Sequence, residues 1–187
     1  MPETPSVPEP GSSTSYAVTV MGRDRPGIIA ETTAGLAELG LNLEDSTMTL
    51  LRGHFAMMLI CAGSANADQI TDALAPLVED GSLTVSVRPV PSGAKSAGAT
   101  GSAGSWILTV HGGDRPGIVS AVVAEVASVG GNITDLTTRL AGDLYLLIAE
   151  IAVPKDVDLT GLEAAVGGAA DRLGVRATLR PADVDEL

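Results

Sequence analysis

Apolar and polar residues alternate from Tyr16 to Met21, with Tyr16, Val18 and Val20 set against Ala17 and Thr19, the period of a half-buried strand. After a turn rich in Gly and Asp, Ile29, Leu36 and Leu39 recur at helical spacing, and Gly40 stands where a left-handed residue ends a helix. Asn42 to Leu51 and Phe55 to Ala62 predict a hairpin around Arg52, Gly53 and His54. Phe55 to Ile60 is apolar throughout, as in a strand at the centre of a sheet. Asn66 and Gln69 form a capping-box pattern that opens a second helix, which Pro76 should kink or shorten. Leu83 to Val90 supplies a last strand.

The same order then recurs. Shifting the chain by 90 positions sets residues 16–50 against 106–140, and 15 of these 35 positions are identical. Trp106, Leu108 and Val110 repeat the first strand, and Val119, Val122, Val123, Val126 and Val129 the first helix, ended by Gly130. Gly53 matches Gly142 best, which reads as the loss of one residue in the second hairpin. Asp158 or Thr160 starts the second helix of this copy, which the Gly167 and Gly168 pair should kink or shorten. Val175 to Pro181 closes it. The order βαββαβ predicts an α+β fold of two ferredoxin-like domains, each a four-stranded antiparallel sheet with two helices on one face.

Between and around the copies the composition changes. Residues 1–15 hold four prolines and little that is apolar, the signature of a disordered tail, and 91–105 is a Gly/Ser/Ala linker. Domains are therefore expected at 16–90 and 106–182, with an acidic tail at 183–187. A unit of about 75 residues buries only around 60 % of its unfolded surface, and the open sheet face or edge predicts a homodimer. Hydrophobic residues make up 45 % of the chain and charged residues 18 %, with a formal net charge of −12. Such a chain repels phosphate backbones unless its bases segregate, so no direct nucleic-acid binding is expected. No apolar run approaches the roughly 20 residues that span a bilayer, and the first residues carry no signal-peptide pattern. Cys61 is the sole cysteine, which fits a reducing cytoplasm.

Asp24, Arg25, Pro26 and Gly27 lie between the first strand and first helix, and Asp114, Arg115, Pro116 and Gly117 repeat them. With Asp24 as N-cap, its carboxylate would accept from the Gly27 N–H, and the remaining free N–H groups suit a small carboxylate. A well-made helix start explains the Asp by itself. It does not require Arg, Pro and Gly together in both copies. Asn42 and Asn132 follow the glycine helix stops, at what the pattern takes to be the same end of the sheet; turn-forming and ligand-contacting roles both fit them.

Two βαββαβ units, each with DRPGI opening its first helix and GLN or GGN leading into its second strand, resemble tandem ACT domains, regulatory modules that bind amino acids or similar effectors. The first copy, from GRDRPGI through LNLEDS to FAMMLI, is most similar to the glycine cleavage system transcriptional repressor family. In ACT domains the ligand typically sits where the first turn of one domain faces the second strand of another. The resemblance thus implicates Asp24, Gly27 and Ile28 with Asn42 and Leu43, and Asp114, Gly117 and Ile118 with Asn132 and Ile133. Apolar Ile28, Leu43, Ile118 and Ile133 lean toward a small or aliphatic effector. Arg23 of the first copy is Gly113 in the second, so the two sites need not be equivalent.

Catalytic chemistry is not expected. His54 and His111 have no second histidine or cysteine at i+3 or i+4, Cys61 has no basic neighbour, and no nucleophile or phosphate-loop signature occurs. Four aromatic residues, Tyr16, Phe55, Trp106 and Tyr145, are too few for a nucleic-acid stacking platform. The expectation is a cytoplasmic, non-enzymatic regulator without cofactor or metal, which senses an amino acid and acts through a protein partner, a transcription factor or a metabolic enzyme. The alternatives are an accessory subunit of a metabolic enzyme and a ligand-free interaction scaffold.

Overall fold

The computed structural model describes residues 14–91 and 102–182. The chain divides between residues 94 and 95 into two compact units. The first runs β1 (Thr14–Arg23), α1 (Ile28–Glu38), β2 (Asn42–Leu51), β3 (His54–Gly63), α2 (Ala67–Ala73), a 3₁₀ turn (Ala75–Val78) and β4 (Leu83–Val90). The second runs β5 (Ser102–Gly113), α3 (Ile118–Ser128), β6 (Asn132–Ala141), β7 (Leu144–Pro154), α4 (Leu159–Arg172) and β8 (Val175–Pro181). Each sheet is antiparallel, ordered β2-β3-β1-β4 and β6-β7-β5-β8, so the apolar β3 is an interior strand.

Of the expected tails and linker, residues 1–13, 92–101 and 183–187 lie outside the described residues. Strand structure nonetheless begins at Thr14 and Ser102, inside the segments that composition assigned to tail and linker. Ser105 pairs with Ala152, and its carbonyl accepts from the Ala182 N–H at 2.9 Å. Small residues with weak strand propensity are recruited because partner strands offer them hydrogen bonds.

Alternation along the strands fills one face of each sheet. Tyr16, Val18 and Val20 of β1 and Phe55, Met57, Leu59 and Cys61 of β3 are buried with Ile28 and Leu36 of α1 and Ile70 of α2. In α1 the inward stripe is Ile28, Thr32 and Leu36, spaced by four, and Ile29 faces solvent at 44 % exposure. The buried Thr32 hydroxyl donates to the Ile28 carbonyl at 2.7 Å, which satisfies it without disturbing the stripe. Unit 2 repeats this with Ile118, Val122 and Val126.

The capping box at Asn66 and Gln69 forms as expected, with both bonds at 2.9 Å, and Pro76 cuts α2 to seven residues with a 3₁₀ turn behind it. Asp158 caps α4 by accepting from the Gly161 N–H at 3.0 Å. Gly167 and Gly168 do not interrupt that helix, which runs for 14 residues. Each glycine costs about 1 kcal/mol but removes no hydrogen bond, whereas Pro76 removes a donor. Leu162, Val166, Ala169 and Ala170, all buried, hold the helix down.

The two hairpins have equal length. Leu51 pairs with His54 and Ala141 with Leu144, so each loop has two residues and the expected deletion does not exist. What differs is the turn. Arg52 and Gly53 both have positive φ, 50° and 81°, the pattern of a type I′ turn; Gly142, at 61°, stands at the first loop position, where a type II′ turn needs glycine. The glycine moved because the turn type changed. Arg52 is the only described non-glycine residue at positive φ. Arg52→Asn should therefore raise the unfolding free energy of unit 1 by about 0.5–1 kcal/mol in a denaturant titration, since asparagine tolerates this conformation.

Candidate functional site

The DRPG turn is tied down at its start. The Arg23 N–H donates to the Ser82 carbonyl at 3.0 Å and the Asp24 N–H to the Gly53 carbonyl at 3.0 Å, which fixes the turn against the β2–β3 hairpin. Asp114 makes the equivalent bond to the Asp143 carbonyl at 3.2 Å. These anchors were invisible in the sequence because the partners lie about 30 and 60 residues away along the chain.

Asp24 is not the helix cap. The N-cap is Gly27, at φ 94° and ψ −12°, with no side-chain cap, and Gly117 matches it at φ 94° and ψ −5°. A left-handed N-cap swings the chain out of β1 and straight into the helix, leaving the Asp24 and Pro26 side chains exposed. The first helical bond runs from the Glu31 N–H to the Gly27 carbonyl at 2.9 Å, and in unit 2 from Ala121 to Gly117 at 2.9 Å. The N–H groups of residues 28, 29 and 30 precede it and have no intrahelical acceptor, as do those of 118, 119 and 120. A carboxylate placed there meets three donors and the positive end of the helix dipole. The same geometry arises twice from the same four residues.

Charge separates the two turns more than the Arg23/Gly113 difference does. Arg25 forms a two-pronged fork on Glu31, with Nη1 donating to Oε1 and Nη2 to Oε2, both at 2.7 Å. The Arg25 hydrogen bonds hold the Glu31 carboxyl below the usual carboxylate range, and Glu31 in turn raises Arg25. Unit 2 has Ala121 where unit 1 has Glu31, and among the described residues Arg115 pairs with no carboxylate. Its guanidinium lies beside Gly174 at the start of β8, 3.5 Å from where a Cβ would stand. In unit 1 an internal carboxylate already occupies the arginine; in unit 2 no described carboxylate does.

Ile28 and Ile118 are each only 2 % exposed, so they are core anchors of the turn and offer a ligand no side-chain surface. Asn42 and Asn132 are exposed at the first positions of β2 and β6. Leu43, 39 % exposed, and the half-buried Ile133 follow them. A β-bulge follows at once in both copies, between Leu43 and Asp45 and between Ile133 and Asp135. The bulges re-aim these strand starts and leave Glu44 unpaired in the ladder, a feature that alternation alone could not show.

The turn and the asparagine do not share an end of the sheet. Asp24 sits against Gly53 at the hairpin end, whereas Asn42 pairs with Ala62, whose neighbour on β1 is Ser15 at the opposite end. Nine residue steps separate Asn42 from Leu51, on the order of 30 Å. Helix α1 carries the chain back along the sheet, which places the two motifs at opposite ends. A site that uses both must take them from two different domains.

Among the described residues no group of three or more metal-ligating side chains is found. No described helix is long and apolar enough to cross a membrane. Cys61 is buried, its Sγ 3.7 Å from the Tyr16 carbonyl, and burial first, then the nearby Glu44 charge, pushes its thiol pKa up. That is the setting of an inert core thiol.

This architecture defines a class. The ACT domain family profile matches residues 16–88 and 106–179, and the chain belongs to that family, carrying its domain twice. Among curated proteins, the chain is 37 % identical over 67 residues to the glycine cleavage system transcriptional repressor of Escherichia coli, an alignment covering 35 % of each protein. It is 43 % identical over 51 residues to a UPF0237 protein of Streptococcus mutans, covering 27 % of this chain and 58 % of that one. Both alignments thus span less than two thirds of the relative's length. Among solved structures, an unknown protein from Galdieria sulphuraria superposes with a TM-score of 0.77 at 28 % identity, covering 91 % of this chain and 99 % of the other. A candidate glycine cleavage system transcriptional repressor, at 18 % identity and a TM-score of 0.67, shares the fold over 91 % of this chain and 98 % of its own. The chain is a tandem ACT-domain protein related to that repressor.

Proposed function

We propose that this chain is a non-catalytic regulator that receives the carboxylate of a small amino acid at its DRPG turns and passes that state to a protein partner. The observation that carries the reading is the duplicated left-handed glycine N-cap, which presents unspent N–H groups without any capping side chain in both units. At Gly117 the approach is open, with nothing nearer than the Ser120 hydroxyl at 3.9 Å from where a Cβ would stand, whereas Glu31 Oε1 lies 2.9 Å from that position at Gly27; the anchored turn holds the donors in place before a ligand arrives. Kinship to a transcriptional repressor of amino-acid metabolism supports the same reading. The exposed Leu43 and half-buried Ile133 favour a small or aliphatic effector, and the start of a second strand from another ACT domain completes the site, as in a homodimer. Arg115, which pairs with no carboxylate among the described residues, makes the second unit the stronger site. The protein acts in the cytoplasm without contacting DNA itself.

A thermal-shift screen of the standard amino acids on the full chain tests this. A ligand at 100 times its Kd adds about 2.7 kcal/mol, and the responding amino acid is expected to lose affinity in Arg115→Ala more than in Arg25→Ala. A flat response across the whole panel would leave the chain as an interaction scaffold.

A further inference from the structure

The sheet faces turned away from the helices have diverged between the two copies. In unit 1 the cross-strand row at the hairpin end is Thr49, Ala56, Met21 and Thr84. The same row in unit 2 is Arg139, Leu146, His111 and Arg176. Three neutral side chains have been replaced by two arginines and a histidine, in a chain whose net charge is −12. Arg180, which stands where unit 1 has Arg88, continues the positive line along β8, above a shallow depression of about 510 Å³ that it lines with Ile107, Thr109 and Thr178. Among the described residues none of Arg139, Arg176 and Arg180 is paired with a carboxylate.

An apolar spine crosses this row. Leu144, Leu146 and Ile148 follow one another on the open face of β7, with Leu144 54 % and Ile148 43 % exposed. Arg139 on β6 flanks the spine on one side, His111 on β5 and Arg176 on β8 on the other. Three strand spacings separate Arg139 from Arg176, about 14 Å, close to the width of a helix with its side chains. Among the described strand residues of this face, carboxylates stand at its far end, where Asp135 pairs across from Glu150 and Glu150 accepts from the Ser105 hydroxyl.

We infer that this face of unit 2 docks an acidic amphipathic segment of a protein partner, with apolar residues on Leu144, Leu146 and Ile148 and carboxylates on Arg139 and Arg176. The inference goes beyond the effector reading, since the surface exists whether or not an amino acid binds. Charge complementarity names the occupant: arginines on both sides of an apolar line fit a segment with acidic flanks. A nucleic acid fits it poorly. Residues 106–182 hold nine acids and six bases, a net of −3, and the spine offers aliphatic side chains instead of aromatic stacking surfaces.

The test uses the full chain labelled for backbone NMR and titrated with a synthetic amphipathic peptide of leucine and glutamate, its leucine–lysine counterpart, and a DNA duplex. The glutamate peptide is expected to shift signals of the open-face residues of β5 to β8, to bind about tenfold more tightly than the lysine peptide, and to weaken as salt rises. Arg139→Thr, His111→Met and Arg176→Thr together install the row that unit 1 tolerates, and should lower that affinity about tenfold. If this variant fails to fold, Arg139→Gln with Arg176→Gln replaces it. Equal binding of the two peptides, unchanged affinity in the folded variant, or a preference for DNA would overturn the inference. So would a variant that alters only the self-association of the chain, which would make the face a contact between copies.

Discussion

Valine at Gly27 is expected to destabilise the first unit by about 1–3 kcal/mol and to abolish effector binding at that turn, because a β-branched residue is forced to φ 94°. Its Cβ would also stand 2.9 Å from Glu31 Oε1, so the Arg25 fork must shift to admit it. Gly117→Val meets nothing closer than the Ser120 hydroxyl at 3.9 Å, and there the strain comes from the backbone alone. Denaturant titration should show the larger loss at Gly27. Read from the sequence, a substitution in the first turn of an exposed helix costs little; the left-handed backbone reverses that expectation. It also supplies a conformational reason for the glycine in both copies, one that exists alongside any ligand. Binding is therefore better probed at Arg115 and Arg25, which are not constrained by φ.

Leu59→Ala should cost more, about 2–5 kcal/mol, with the loss confined to unit 1. Leu59 is fully buried on the interior strand β3, packed among the residues that join the sheet to α1 and α2. Strand β3 pairs on both sides, with β1 and β2, so the sheet has no free edge there along which to close over a cavity. Ile151 is the equivalent position for Cys61 in unit 2, also fully buried, and Ile151→Ala should act likewise on that unit. Two separate transitions in a denaturant titration of Leu59→Ala, where the wild type shows closer ones, would check that the loss stays in one domain.

The elements were legible because their signals are local. Alternation marked β1 and β5, the uninterrupted apolar run marked β3, and the capping box at Asn66 gave the start of α2. The turn geometry was not, because it depends on contacts distant in sequence. Asp24 resembles a cap in the sequence, yet its N–H is bound to Gly53 and the helix starts three residues later at a left-handed glycine. By residue identity Gly53 and Gly142 align as one displaced position, but the two turn types need glycine at different loop positions. Ile29 read as core through an apolar residue type, while the inward stripe lies one step earlier and includes the polar Thr32. For the site, the tetrapeptides were found by repetition, but their separation from Asn42 and Asn132 requires the path of the helix between them. The Arg25–Glu31 fork could have been suspected from the contrast of Glu31 with Ala121 at the same position of the repeat.

Backbone NMR of the full chain, titrated with the amino acid that gives the largest thermal shift, tests the carboxylate-receiving role of the DRPG turns most directly. The amide signals of residues 27–30 and 117–120 should move with a common saturation curve for each turn, the second at lower concentration, and the movement at 117–120 should weaken in Arg115→Ala. An amino acid that saturates the protein while both sets of amides stay fixed, or the absence of binding by any standard amino acid, would contradict that role.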